Sequence, residues 1–354
     1  MMVTTGMRQR IRATADSLAM GTARARSRGL TVADSLAARV GLAPRTGRRT
    51  PGWRVVAAKE FGDNIGSIRF AILLFIIGLA CVGSVIVSAG NLRDVAEEVT
   101  GTPSLFLYLF TFAPERLPSF VALIGFLGPL LGIAFGFDAI NQERADGTLP
   151  RLVSQPIHRD DVVNGKFAAG LATIGVTLVM LVAVTSGVGI VRMGITPAPA
   201  DVARLLAYLV VTLAYIGVWL AFAILCSVVL RRAATAALAA ISAWIVLTLF
   251  GTFLAGLVAD AAADDQLGQL RIEHTLTQLT PAGLYEASTA ALLDPSVRTV
   301  GIVVAEQVDR AVASTLSLGQ SLLVVWPQVT ALIAGCVVLF TVAYLAFLRQ
   351  EIRA

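Results

Sequence analysis

The sequence reads as an all-α membrane protein. It has six transmembrane helices, an N-terminal interfacial helix, a short helix in the cytoplasmic loop between spans 2 and 3, and an extracytoplasmic helical segment between spans 5 and 6. Three observations lead there. First, 56% of the 354 residues are hydrophobic, only 14% are charged, and the mean hydropathy is +0.78; soluble domains carry about 25% charged residues. Second, a hydrocarbon core about 30 Å thick takes about 20 apolar residues in a helix, and six stretches reach that length: 70–90, 119–137, 167–191, 205–230, 233–259 and 324–348. The run 205–259 is too long for one crossing, so Arg231-Arg232 must mark a tight turn. Third, 21 of the 28 Lys and Arg fall in 1–69, 138–166, 231–232 and 349–354. Basic residues are retained on the cytoplasmic side, so those segments and both termini are expected there, in a multi-pass protein of the cell membrane. The acidic residues, ten inside and thirteen outside, show no such bias.

Residues 1–50 hold ten Arg, no Lys and two acids, Asp16 and Asp34, and lack the apolar region of a secretory signal. This is the composition of a disordered basic cytoplasmic arm against an anionic leaflet; organelle transit peptides share it, and a stretch ahead of the true start codon without function is the other reading. Residues 51–69 follow as an amphipathic interfacial helix. Trp53, Val56, Ala57, Phe61, Ile65 and Ile68 recur at helical spacing, with Arg54, Lys59, Asp63 and Asn64 opposite. A cytoplasmic extension of the first span is the alternative.

The six-span domain covers 70–348. Proton relays, voltage sensors and ion-coupled transporters need ionisable groups at membrane depth, and the six spans hold none away from their ends. The same fact argues against a channel lined by charged rings. Intramembrane proteolysis would need a Ser/His pair or paired Asp in the spans, and neither is present. His158 and His274 are expected on opposite sides of the membrane. Cys81, Cys226 and Cys336 all lie in apolar spans, where a thiol behaves as a small hydrophobe. No metal, nucleotide or catalytic constellation emerges, so the spans read as a mechanical element. In the second, Gly128, Gly132 and Gly136 stand four apart, the spacing of a close helix-packing seam within one subunit or of a dimer seam, and Gly128-Pro129 is a natural kink.

Two loops carry structure of their own. The outer loop 260–323 is expected to hold two amphipathic helices, one within PAGLYEASTAALLDP and one on the stripe Val304, Val308, Ala311, Val312 and Leu316; a loosely ordered loop is the alternative. The loop 138–166 follows an order of stop, cap, helix and restart. Residues 138–145 extend the second span, and Gly147 can end it in a left-handed conformation. Thr148 can cap a short helix from Leu149 to Ser154, with Pro150 in its first turn. Leu149, Leu152 and Val153 would form its apolar ridge, flanked by Glu143, Arg144, Arg151 and Arg159, with Pro156 as the stop and Asp160 or Asp161 starting the next helix. Such a ridge suits a groove in a soluble partner; a solvated loop whose charges only set topology is the other reading.

This stretch resembles the loop after the second membrane helix of ABC-2 type permeases, the membrane subunits of ATP-binding cassette exporters, in the branch of the nitrous-oxide-reductase maturation permease. The shared pattern falls on Gly136, Asp138, Glu143, Gly147, Thr148, Leu149, Leu152, Ser154, Gln155, Pro156, Arg159, Gly165 and Lys166. Pro150 and Arg151 depart from it, and the arm at 1–50 lies outside it. The resemblance implies a permease subunit that forms a translocation pathway with a second copy or a related permease and is driven by separate ATPase subunits. Coupling would run through Glu143, Gly147, Thr148, Leu149, Leu152, Gln155, Pro156 and Arg159. ATP and magnesium would belong to the ATPase, with no cofactor, metal or catalytic residue in this chain. A membrane scaffold or sensor that recruits a cytoplasmic partner without transport is the competing reading.

Overall fold

The computed structural model describes residues 51–94, 105–113, 117–147, 159–263, 265–294 and 316–350. The arm at 1–50, the whole of the expected loop helix from Leu149 to Ser154 with Thr148, Gln155 and Pro156 beside it, and the stripe from Val304 to Val312 lie outside them. Among the described residues the chain is helical throughout and contains no strand. The helices are α1 (Gly52–Ile65), α2 (Ile68–Asp94), α3 (Leu105–Thr111), α4 (Phe120–Gly136), α5 (Asn141–Ala145), α6 (Arg159–Met193), α7 (Pro199–Val229), α8 (Ala233–Leu249), α9 (Gly251–Ala262), α10 (Gln266–Gln278), α11 (Pro281–Leu293) and α12 (Leu318–Leu348).

Five stretches are long and apolar enough to cross a membrane: α2, α4 with α5, α6, α7 and α12. The expected fifth span, 233–259, departs from a single rod. It is the pair α8 and α9, bent by 54° at Phe250. Arg231 and Arg232 sit in the break between α7 and α8. Two further helices come from segments read as loop: α3, from LFLYLFT, and α10, ahead of α11.

At the centre stands α7, packed against α12, α4, α11, α6 and α8. Its inward residues include Tyr208, Tyr215, Ile216, Trp219, Leu220 and Ile224. Side chains on α2, α9 and α12, among them Phe75, Leu79, Phe253, Leu323, Trp326 and Val337, remain exposed and apolar, as faces turned to lipid or to another membrane helix should be.

Backbone chemistry sets the helix ends. Ser119 Oγ accepts the Ala122 N–H at the start of α4, and Thr280 Oγ1 accepts the Gly283 N–H ahead of Pro281 at the start of α11. Ser317 and Gln320 form a capping box on α12. In α4, Pro129 offers no N–H to the carbonyl of Gly125 four residues back. The Tyr215 hydroxyl of α7 donates to that carbonyl at 2.9 Å. An orphaned acceptor inside an apolar bundle costs several kcal/mol by the order of magnitude for lipid, so proline and tyrosine work as one unit across the helix pair.

Asn64, expected on the polar side of α1, lies on its packed side: its Nδ2 donates to Thr173 Oγ1 of α6 at 3.4 Å. Val56 is buried, and Trp53 and Ile65 are exposed. The helix is turned so that it packs along α6.

Candidate functional site

Both ends of the bundle are cross-tied by polar side chains, and they differ in kind. At the end where α4 runs into α5, here the loop end, hydrogen bonds and ion pairs together tie α1, α5, α6, α7 and α12. Ser227 Oγ, near the end of α7, accepts the backbone N–H groups of Ile140 and Asn141 at 3.0 and 3.2 Å. These are the first donors of α5, which has no cap from its own side chains. A hydroxyl on α7 therefore substitutes for the missing N-cap.

Arg144 continues the connection. Its Nη2 donates to the Val228 carbonyl at 3.2 Å and to Gln350 Oε1, and Gln350 Nε2 donates to the same carbonyl at 2.7 Å. So α5, the last turn of α7 and the end of α12 meet at one peptide group.

On the other flank of α5, Lys166 of α6 is 92% buried between two carboxylates. Its Nζ is 3.0 Å from Glu60 Oε1 of α1 and 3.3 Å from Glu143 Oε1 of α5. Gly165 makes the approach of α1 possible, because a Cβ there would lie 2.6 Å from Val56 Cβ and 2.9 Å from the Trp53 carbonyl oxygen. Lys59 borders the cluster at 3.7 Å from Glu60 and 3.5 Å from Asp63. Partial burial lowers its ammonium's pKa, but the carboxylates of Glu60 and Asp63 outweigh that and leave it above its ordinary value. Arg69 pairs with Asp138 and lies over the Phe137 ring at 5.7 Å.

Of the residues expected to couple the loop, Glu143 joins this junction, and Gly147 follows α5 with φ of +65°, the left-handed conformation in which glycine is unstrained. Arg159 is the first residue of α6. The glycines of α4 lie along α7. A Cβ at Gly132 would meet the Ile216 carbonyl oxygen at 2.7 Å, one at Gly136 the Leu220 carbonyl oxygen at 2.9 Å, and one at Gly128 the Ile216 Cδ1 at 2.8 Å. Ser227, Gln350, Glu60 and the bridging position of Lys166 were not legible as site residues. Lys166 and Gly165 gave a signal only through the family pattern, and nothing local marks Ser227 in an apolar run.

At the opposite end the tie is one buried cation. Arg204, 4% exposed, donates to the carbonyls of Leu292 at 2.7 Å and Leu316 at 2.6 Å and to Ser321 Oγ at 3.2 Å. It joins α7 to α11 and α12. Below it Tyr285 donates to the Tyr208 hydroxyl at 3.1 Å and stacks on Tyr215 with ring centroids 4.4 Å apart. A cleft of about 410 Å³ opens here, with Ser119, Tyr215, Thr248, Tyr285 and Glu286 in its wall.

The described residues thus form an apolar helical bundle whose two ends are cross-tied by polar side chains. Residues 54–352 match the family described as ABC-2 family transporter protein, and the chain belongs to that family, whose members are membrane subunits of ATP-binding cassette transporters. The chain is also similar to the probable ABC transporter permease protein NosY of Stutzerimonas stutzeri, 29% identical over 147 residues. That match covers 40% of this chain and 44% of the relative, so it spans less than half of either.

Proposed function

We propose that the chain is the permease subunit of an ABC exporter, forming the translocation pathway and receiving ATP-driven motion from separate ATPase subunits. It would sit in the cytoplasmic membrane with six spans, the loop end and both termini in the cytoplasm, and pair with a second copy or a related permease. The observation that supports the coupling role is Lys166 held between Glu60 and Glu143. A push on the segment after Gly147 reaches α5, and from α5 an ionic contact leads to α6 and α1 while hydrogen bonds lead to α7 and α12. Helices tied this way move together, because separating a buried ion pair costs more than tilting the whole group.

The test pairs the chain with its ATPase and measures insertion, ATP hydrolysis and transport together. Glu143→Ala removes one of the two carboxylates on Lys166, and Gly147→Val forces a β-branched residue into a left-handed conformation. Both variants are expected to insert and to retain bound ATPase, while hydrolysis no longer drives transport. Unchanged transport in both would exclude the loop end as the coupling element.

A further inference from the structure

We propose that the loop end contains a binding site for a phosphate group, carried either on the head of an anionic lipid or as free phosphate. The site is a cavity of about 530 Å³ among the start of α2, the α4–α5 connection and the break between α7 and α8. Arg69, Asp138, Asn141, Arg144, Arg231 and Arg232 are in its wall. Its volume falls in the ordinary range for small-ligand pockets, about 300–1,000 Å³.

The charge around the cavity is unbalanced. Four guanidinium groups face one carboxylate, and that carboxylate, Asp138, is already paired with Arg69. Arg144 directs its hydrogen bonds to neutral acceptors, namely Val228, Gln350 and Asn141. Arg231 stands close enough to Arg144 for the two like charges to repel. Neither Arg231 nor Arg232 has a carboxylate partner among the described residues, and both are exposed. Repelling cations gathered around a concavity whose one carboxylate is already paired favour an anion there.

Asn141, also in the wall, accepts from Arg144 through Oδ1 and so holds one of the four guanidinium groups at the cavity. Phosphate oxygens accept hydrogen bonds and match the fork of a guanidinium.

Position makes a lipid head a natural carrier. The cavity lies where the start of α2, the α4–α5 connection and the α7–α8 break meet at one end of the apolar bundle, and on the proposed topology that end faces the anionic cytoplasmic leaflet. Charges that only fix topology would need no concavity.

The experiment uses the full-length chain in a neutral detergent, titrated with short-chain phosphatidylglycerol, short-chain phosphatidylcholine and inorganic phosphate, reading the thermal unfolding midpoint. Phosphatidylglycerol is expected to raise the midpoint and phosphatidylcholine not to. The double variant Arg231→Gln/Arg232→Gln should bind phosphatidylglycerol about thirtyfold more weakly, while Arg271→Gln, on α10, should bind it as the native chain does. An equal rise with inorganic phosphate, lost in the same double variant, would make free phosphate the ligand of the site. No rise with either anion, or an undiminished rise in the double variant, would overturn the proposal.

Discussion

Lys166 is the residue on which the loop end turns, because two carboxylates from different helices share its single ammonium. Replacing it by methionine keeps the stem but takes the shared ammonium from Glu60 and Glu143, each less than one fifth exposed, while Lys59 stays 3.7 Å from Glu60. Breaking a fully buried pair costs about 3–5 kcal/mol; partial exposure of both acids lowers the expected loss for Lys166→Met to about 2 kcal/mol. The diagnostic is the double variant with Glu143→Gln, which removes one of the two carboxylates that faced the ammonium. Groups in direct contact couple non-additively, so the double variant should lose less than the two single losses summed, read by titration with a denaturing detergent. Additive losses would show that the contact contributes nothing. Arg204 at the other end donates all three of its hydrogen bonds to neutral acceptors, at the end of α11 and the approach to α12, with the carboxylates of Asp201 and Asp294 near enough to favour its charge.

At the scale of elements, the packing of α4 on α7 orders three glycine substitutions. At Gly132 a methyl group meets backbone atoms, the Ile216 carbonyl oxygen at 2.7 Å and the Leu220 nitrogen at 3.0 Å, so the helices must separate; overpacking of this kind costs about 1–3 kcal/mol. At Gly128 it meets Ile216 Cδ1, the end of a side chain that can rotate away. At Gly83 in α2 it meets nothing within 4 Å, and alanine's helix preference should leave stability equal or slightly higher. Detergent-induced unfolding should therefore rank Gly83→Ala above Gly128→Ala and Gly128→Ala above Gly132→Ala; a Gly132→Ala protein as stable as the native one would refute the seam. The spacing of these glycines was readable because it is local to one helix. Its partner, α7, was not, since which helix fills a small-residue groove depends on the whole bundle. The break at Phe250 escaped for a related reason: the run 233–259 is apolar on both sides of it, and hydropathy records length without direction. α10 escaped because QLGQLRIEHTLTQ is mostly polar and none of its residues is fully buried, leaving little periodicity to read.

For the whole molecule, the direction of α12 constrains the path of the chain. Ser321, near the start of α12, bonds Arg204 near the start of α7, and Gln350, just past the end of α12, bonds Val228 near the end of α7. The two helices therefore run parallel. A chain that leaves α7 at Val229 must return to the Arg204 end before α12 begins, and α8 with α9 is the segment that carries it there, since α11 already bonds Arg204 through Leu292. On the proposed six-span reading the bent pair is therefore a full crossing despite its 54° break, with α1 and α10 on opposite sides of the membrane. Single cysteines test that assignment in a background from which Cys81, Cys226 and Cys336 have been removed. Gly62→Cys places a thiol on an exposed position of α1 with nothing within 4 Å of its Cβ, and Arg271→Cys places one on the exposed side of α10. In intact spheroplasts a membrane-impermeant maleimide should label Arg271→Cys and reach Gly62→Cys only after permeabilisation, because the basic residues favour the α1 side as cytoplasmic. Labelling of both from outside, or of neither, would mean that α8 and α9 turn back to the side they came from; labelling of Gly62→Cys alone would invert the orientation and remove the loop end from the reach of a cytoplasmic ATPase.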